Sequence, residues 1–498
     1  MGKYLKLFDT HAEYLAFTQT SDFVKPNVSH CITENHVHYN PWSWADEYLT
    51  FVAKEDGTFT FTPQNSNVIS YSTDKGETWI EGNSVEVNNG DKVMWKGELT
   101  PTSDNGIGTF SSTGNFDVQG NPMSLLYGDN FNGKTDLTGK RYAFYRLFRW
   151  NTKVVNAENL SLPATTLANS CYAYMFQGCT SLTTAPKLPA TTLAVYCYSG
   201  MFYGCTGLTT APVLPATTLA NSCYAYMFQG CTSLETAPEL SATTLASSCY
   251  TYMFQGCTSL TTAPVLPAET LANSCYAYMF QGCTSLETAP ELSATTLAVY
   301  CYSGMFYGCT SLTTAPELSA TRLANSCYLS MFQGCTGLKT APVLPATTLA
   351  YYCYNGMFNG CSNLITAPEL SATRLANSCY SGMFNGCSNL ITAPELSATT
   401  LADNCYMNMF YGCTSLETAP VLPATTLASY CYQGMFQGCT KLNYIKAMFT
   451  TTPSTSYTRD WVSGVASTGT FVKNSAATWT TTGVNGVPNG WTIETASA

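Results

Sequence analysis

Residues 163–188 read PATTLANSCYAYMFQGCTSLTTAPKL, and residues 189–214 answer with PATTLAVYCYSGMFYGCTGLTTAPVL. Eleven such units on a 26-residue period run from about Pro163 to Cys439, where the match of the eleventh ends. Two cysteine columns mark them: Cys171, Cys197 and on to Cys431, then Cys179, Cys205 and on to Cys439. A fixed period of this length predicts a solenoid, in which each coil buries its apolar side only against its neighbours. A rod of this kind presents surface and does not readily build a single catalytic pocket.

Comparing the copies with one another separates inside from outside. The columns of Leu167, Cys171, Met175, Phe176, Cys179 and Leu182 stay apolar throughout, and Ala185 recurs until Ile445 replaces it. Gly178 precedes the second cysteine in every copy, which suits a turn needing positive φ. Pro186 and its equivalents have no N–H for a ladder, so a short strand is expected near Leu182–Ala185, just before that corner. A helical or 3-10 turn is expected over Asn169–Gln177. The varying columns are the outside. Thr183 becomes Glu235, Glu287, Lys339, Ile365 or Glu417 elsewhere, and Lys187 becomes Val213, Glu239 or Glu317. The exposed binding candidates are therefore Glu235, Glu239, Glu287, Glu291, Glu317, Glu369 and Glu395, with Arg322 and Arg374 placed to offset glutamate repulsion. This column reads either as a ligand ladder or as a solvated face.

Charged residues make up 10% of the 498-residue chain, and its net charge is −10. An acidic balance argues against nucleic acid, which needs a basic face. No apolar run approaches the ~18 residues of a membrane helix. The first twenty residues lack a secretory apolar region, because Asp9, His11 and Glu13 interrupt it. Folding in a reducing compartment is the expectation, and it decides how the 23 cysteines are read. With no CxxC or Cys/His pairing of metal-ligand spacing, they read as buried free thiols rather than disulfides or ligands. Residues 1–45 hold all four histidines. His36 and His38 would share a face of an extended strand and are the weak metal candidates. No cofactor is expected, and no catalytic constellation can be assembled with the histidines outside the array.

Phe176-Gln-Gly-Cys179-Thr-Ser-Leu182 and the step Leu188-Pro189 resemble the BspA-like class of leucine-rich repeats. The resemblance covers roughly residues 142–472 and implies adhesion to surfaces. Lys3-Tyr-Leu-Lys-Leu-Phe-Asp-Thr-His-Ala-Glu-Tyr14 with Val37-His-Tyr-Asn-Pro41 resembles the start of virion-associated proteins of gut bacteriophages. What that implies is an arm docking onto other virion proteins, assembly in the host cytoplasm and residence in the virion. It also implies a bacterial surface receptor, protein or glycan, and a homo-oligomer such as a trimer, in which an H-x-H pair can hold iron on the axis. The other carrier of such a rod is a bacterial cell-surface adhesin.

The expected organisation is mainly β with short helical turns. An arm spans residues 1–45, an Ig-like antiparallel β-sandwich 46–140, and an N-terminal capping repeat 141–162. The repeat solenoid follows over 163–439 and a C-terminal cap over 440–498. In the sandwich, period-two alternation marks strands near Tyr48–Ala53, Thr58–Thr62, Val68–Ser72, Ser84–Val87 and Lys92–Trp95. Ser72-Thr-Asp-Lys-Gly-Glu-Thr-Trp79 matches the "Asp-box" of sialidases, occurs once, and reads as a hairpin turn bending at Gly76. Tyr142-Ala-Phe-Tyr-Arg-Leu-Phe148 resembles Tyr172-Ala-Tyr-Met-Phe176 without the cysteines. Thr470–Val472 is expected to be the last strand. Trp461, Trp479 and Trp491 read as a cap over the open end rather than as a carbohydrate platform.

Overall fold

A computed structural model describes residues 47–65, 67–102 and 106–496, and the backbone of Lys6–Phe8 (β1), His30–Glu34 (β2) and Val37–His38 (β3). β1 pairs with β2 in parallel and β2 with β3 antiparallel. The rest of the expected arm lies outside the described residues. The described chain is mostly β, with one short helix, α1, at Ser124–Tyr127.

All the strands expected between residues 48 and 95 form: β4 Leu49–Ala53, β5 Gly57–Pro63, β6 Ile69–Ser72, β8 Ser84–Val87 and β9 Lys92–Gly97. Three more join them, β7 Ile80–Glu81, β10 Gly108–Ser112 and β11 Phe116–Gln119. β10-β5-β8 make one sheet, and β12 (Val154–Asn156)-β11-β4-β9-β6-β7 make another. Alternation puts Phe51 of β4 inward, where its ring meets Phe59 of β5 at 5.4 Å and Phe110 of β10 at 4.7 Å. Trp95 of β9 meets the same Phe110 at 5.1 Å. The two sheets thus share an aromatic core.

In the repeats the expected helical turn is replaced by a different backbone. Cys197, Ser199, Met201 and Tyr203 donate their N–H groups to Ala194, Tyr196, Tyr198 and Gly200, three residues back. The intervening residues Tyr198, Gly200, Phe202 and Gly204 donate to Cys223, Ala225, Met227 and Gln229 of the next coil, at 2.7–3.1 Å. Every fourth residue is left-handed, with φ of 56° at Tyr196, 58° at Gly200 and 71° at Gly204. A 3-10 helix needs every φ negative and aims its N–H groups along its own axis. Here half of them are turned sideways, so the segment is a tape of turns that hydrogen-bonds coil to coil. The expected strand contracts to single parallel bridges. One line runs Thr210–Thr236–Thr262–Thr288–Thr314, and a second runs Thr192–Thr218–Thr244–Thr270–Thr296–Arg322. Pro212 and its equivalents fall just past the first line, where a missing N–H costs nothing.

Inside, each invariant column is a stack. Phe176 and Phe202 lie 5.7 Å apart at 6°, and Tyr198 and Tyr224 lie 5.9 Å apart at 7°, within the offset-stacking range. The repeat cysteines are free and buried. Those of the second column donate across coils: Cys205 Sγ reaches Phe176 O and Cys231 Sγ reaches Phe202 O, each at 3.1 Å.

The N-terminal end of the stack continues the tape without the cysteines. Tyr142, Arg146 and Trp150 are left-handed, and Phe144 and Phe148 donate backbone N–H groups to Cys171 and Met175 at 2.7 and 2.8 Å. The register differs from the sequence match. Phe144, not Tyr142, stacks on Tyr172, at 5.4 Å, because the spacing of left-handed residues sets the alignment. Trp150 lies over Gly178, where an added Cβ would sit 2.0 Å from its ring. This coil is welded to the sheets: β12 pairs in parallel with β11, and Asn156 bridges to Thr184. Asn151 Nδ2 donates to Phe110 O at 3.1 Å. One continuous hydrophobic core therefore runs from Leu49 to Trp491.

At the far end three parallel strands follow, β13 Tyr444–Ala447, β14 Thr470–Lys473 and β15 Thr492–Thr495. The expected final strand, β14, is therefore the middle one, and β15 pairs beyond it. Trp461, Trp479 and Trp491 are buried, each ring N–H meeting a carbonyl, of Gly486, Phe449 and Ala466 respectively.

Candidate interaction face

Because the tape and its stacked rings turn inward, the columns of Thr183, Lys187 and Thr192 are left outside. All nine candidates are exposed: Glu235, Glu239, Glu287, Glu291, Glu317, Arg322, Glu369, Arg374 and Glu395. Neighbouring coils repeat at about 4.8 Å, so Glu291 and Glu317 form a like-charged pair. The expected compensation by arginine does not occur. Among the described residues the ion pairs are Lys54–Asp117 and Lys96–Asp129, and neither involves a repeat. Arg322 and Arg374 stand in the Thr192 column, bridged through their backbones to Thr296 and Thr348, so the face keeps its negative charge unpaired.

Between the glutamates lie residues that the reading by charge passed over. Val213, Val265 and Val343 are 77%, 78% and 76% exposed. Where a Glu-Leu-Ser coil meets a Val-Leu-Pro coil, a groove opens. One, of about 670 Å³, is lined by Pro316, Glu317, Ser319, Pro342, Val343 and Pro345 among others. Its equivalent, of about 660 Å³, uses Pro238, Glu239, Ser241, Pro264, Val265 and Pro267. The covariation of Glu with Ser and of Val with Pro was the signal in the sequence.

A second, half-buried line runs along the tape. Tyr226, Tyr252 and Tyr278 stack at 5.2 and 4.9 Å. Beside them Gln229, Gln255 and Gln281 pass side-chain amide hydrogen bonds from coil to coil. These rings spend their faces on one another, and Tyr278 folds over Gly304.

The Asp-box segment is a closed turn joining β6 to β7, which pair through Tyr71 and Ile80. Asp74 accepts from Ser72 Oγ at 2.7 Å and from Thr78 N at 2.9 Å, while Gly76 bends at φ 87°. The hydroxyl and backbone N–H of Thr78 hold the Asp74 carboxyl down to about 2. Its oxygens are committed to the turn. His36 lies outside the described residues, and His38 belongs to β3. Among the described residues no three metal-ligating side chains come together, and no helix is long and apolar enough to cross a membrane.

A family model described as "BspA type Leucine rich repeat region (6 copies)" matches residues 151–287, 222–365, 273–409 and 331–458. No curated protein matches. Among solved structures, one titled "Crystal structure of TLR13-ssRNA13 complex" aligns at 13% identity with a TM-score of 0.21. That alignment covers 67% of this chain and 48% of the other, so the chain spans about half the length of the structure it matches.

Proposed function

Because the chain belongs to the BspA-type leucine-rich repeat family, we propose that it is a non-enzymatic attachment protein whose solenoid of eleven coils displays a receptor-reading face. A repeat of this type is an interaction scaffold. The observation that carries the reading is the division of labour within each coil. The columns of Cys171, Met175, Phe176, Cys179 and Leu182 are buried, whereas the columns that vary, Glu239, Val265, Glu291 and their equivalents, are exposed and make no ion pair among the described residues. Variation confined to the outside of an invariant core is what a binding array needs.

The carrier in this reading is a bacteriophage particle. Residues 1–45 form the arm that meets other virion proteins, residues 46–140 are a sandwich spacer, and the receptor is a bacterial surface protein or glycan. The resemblance of the opening segment to phage virion proteins supports this assignment. The family match favours a second carrier, a bacterial cell envelope, with the same rod acting as an adhesin.

Purified chain should adhere to intact bacteria and compete with particles or cells that carry it. Failure to adhere to any bacterial surface, or turnover of a host polysaccharide by the purified protein, overturns the reading. Immunogold labelling of particles against envelopes separates the two carriers.

A further inference from the structure

The grooves are not scattered. The step from Glu-Leu-Ser to Val-Leu-Pro occurs at Glu239/Val265, Glu317/Val343 and Glu395/Val421, each three coils beyond the last. At one strand spacing per coil they recur every ~14 Å. The first two steps coincide with the grooves, and the third lies beside the C-terminal end, where Leu422 bridges to Ala447. We propose that these grooves are docking sites for an extended, cationic segment of a partner protein. A lysine or arginine of that segment meets the groove glutamate, and its aliphatic neighbours rest on the valine and prolines.

Three observations select this occupant. Charge is the first. The columns of Thr183 and Lys187 carry Glu235, Glu239, Glu287, Glu291, Glu317, Glu369, Glu395 and Glu417 against Lys187 and Lys339, and Glu239 and Glu317 have no ion-pair partner among the described residues. The lining is the second. Sugar rings stack on aromatic faces, and neither groove has an aromatic residue in its wall. Val265 and Val343 at three-quarters exposure, set among buried and half-buried prolines, suit aliphatic side chains instead. The spacing is the third. A strand rises ~3.3 Å per residue, so ~14 Å is about four residues, and residues four apart lie on one face of it. The partner should therefore carry a basic residue at every fourth position.

This inference rests on the attachment reading, and its test keeps the two apart. A fluorescent twelve-residue peptide of valine and threonine with lysine at every fourth position is titrated against the full chain by anisotropy, at low and moderate salt. Binding should weaken at least tenfold when glutamate replaces lysine, and also when lysine falls at every third position. Glu239→Gln with Glu317→Gln should weaken it tenfold or more and flatten the salt dependence. Val265→Lys with Val343→Lys should abolish it at unchanged Tm, since both side chains are exposed. Peptide binding that is absent, or indifferent to these changes, overturns the proposal. So does a neutral-glycan signal lost in the valine variant. If the unaltered chain and the valine variant adhere equally to bacteria, the grooves are not the docking sites and the attachment reading stands. If the peptide binds as expected but the chain adheres to no bacterium, the attachment reading fails alone.

Discussion

Gly230 shows how a single atom is constrained along the whole array. Its φ is 72°, and an added Cβ would lie 3.7 Å from the Cα of Gly204 in the coil before it. That is ordinary contact, so the cost of Gly230→Ala comes from the left-handed backbone, about 1–2 kcal/mol. Chemical denaturation should find the midpoint lowered with the slope unchanged. The thiols carry a larger, pH-dependent effect. Burial pushes Cys231 and Cys249 from 9.0 up to about 12. A raised thiol value keeps the folded form neutral, so stability is full below pH 9 and falls as pH climbs towards 12. At pH 10 each such thiol withdraws about 1.4 kcal/mol, one unit of differential ionisation. The array should unfold cooperatively near pH 10, detected by circular dichroism with thiolate absorbance appearing in the same step. At pH 8 the native repeat thiols should resist alkylation and react once denatured. Thiolate absorbance rising ahead of unfolding would show the columns to be open to solvent.

At the scale of elements, the stack is closed by its terminal tryptophans. Trp461 is fully buried against Tyr432, Phe436, Phe449 and Phe471. Trp461→Ala should cost about 3–5 kcal/mol and expose the last coils first, which hydrogen exchange would localise to residues after Cys413. Protection lost uniformly along the array would contradict an end-cap role. The strands β4, β5, β6, β8 and β9 were legible because alternating valine and aromatic residues have only one apolar face to bury. β10, reading Gly-Thr-Phe-Ser-Ser, and the short β7 gave little such signal, since their partners rather than their own composition hold them. The glycine column marked one left-handed position. Ser222 and Tyr226 are equally left-handed; the column of Ser222 holds only Ser, Tyr or Asn and carries no mark, whereas that of Tyr226 holds glycine at Gly200, Gly304, Gly356, Gly382 and Gly434, a second mark that a helical turn does not accommodate. Exposure of the glutamates followed from their variability, whereas the grooves depend on two adjacent coils and were hidden from a column-by-column reading.

At the scale of the whole molecule, near-identical coils make length negotiable in whole units. Deleting Ala242–Pro267, one full period, should leave a folded chain about 5 Å shorter, with Ser241 joined to Ala268. Removing 13 residues should instead set polar columns inside and unfold the array. The full-period deletion also erases Val265, Pro264 and Pro267, and with them one groove. Adhesion should then fall while Tm changes little. Adhesion unchanged after several whole units are removed would make the rod a spacer.

The weld between the first coil and the sheet bears on how the chain finds its register. Any repeat offers nearly the same surface to any other, so a nascent array has many wrong pairings close in energy. A template differing from all the repeats exists where β12 lies along β11 and Asn156 hands the ladder to Thr184. Synthesis delivers that template before any repeat. Growth from it is directional, like a zipper with one stop, and each emerging coil meets a single open edge instead of ten equivalent competitors. A chain refolded from denaturant has no such order of arrival, and mispaired arrays are its expected by-product.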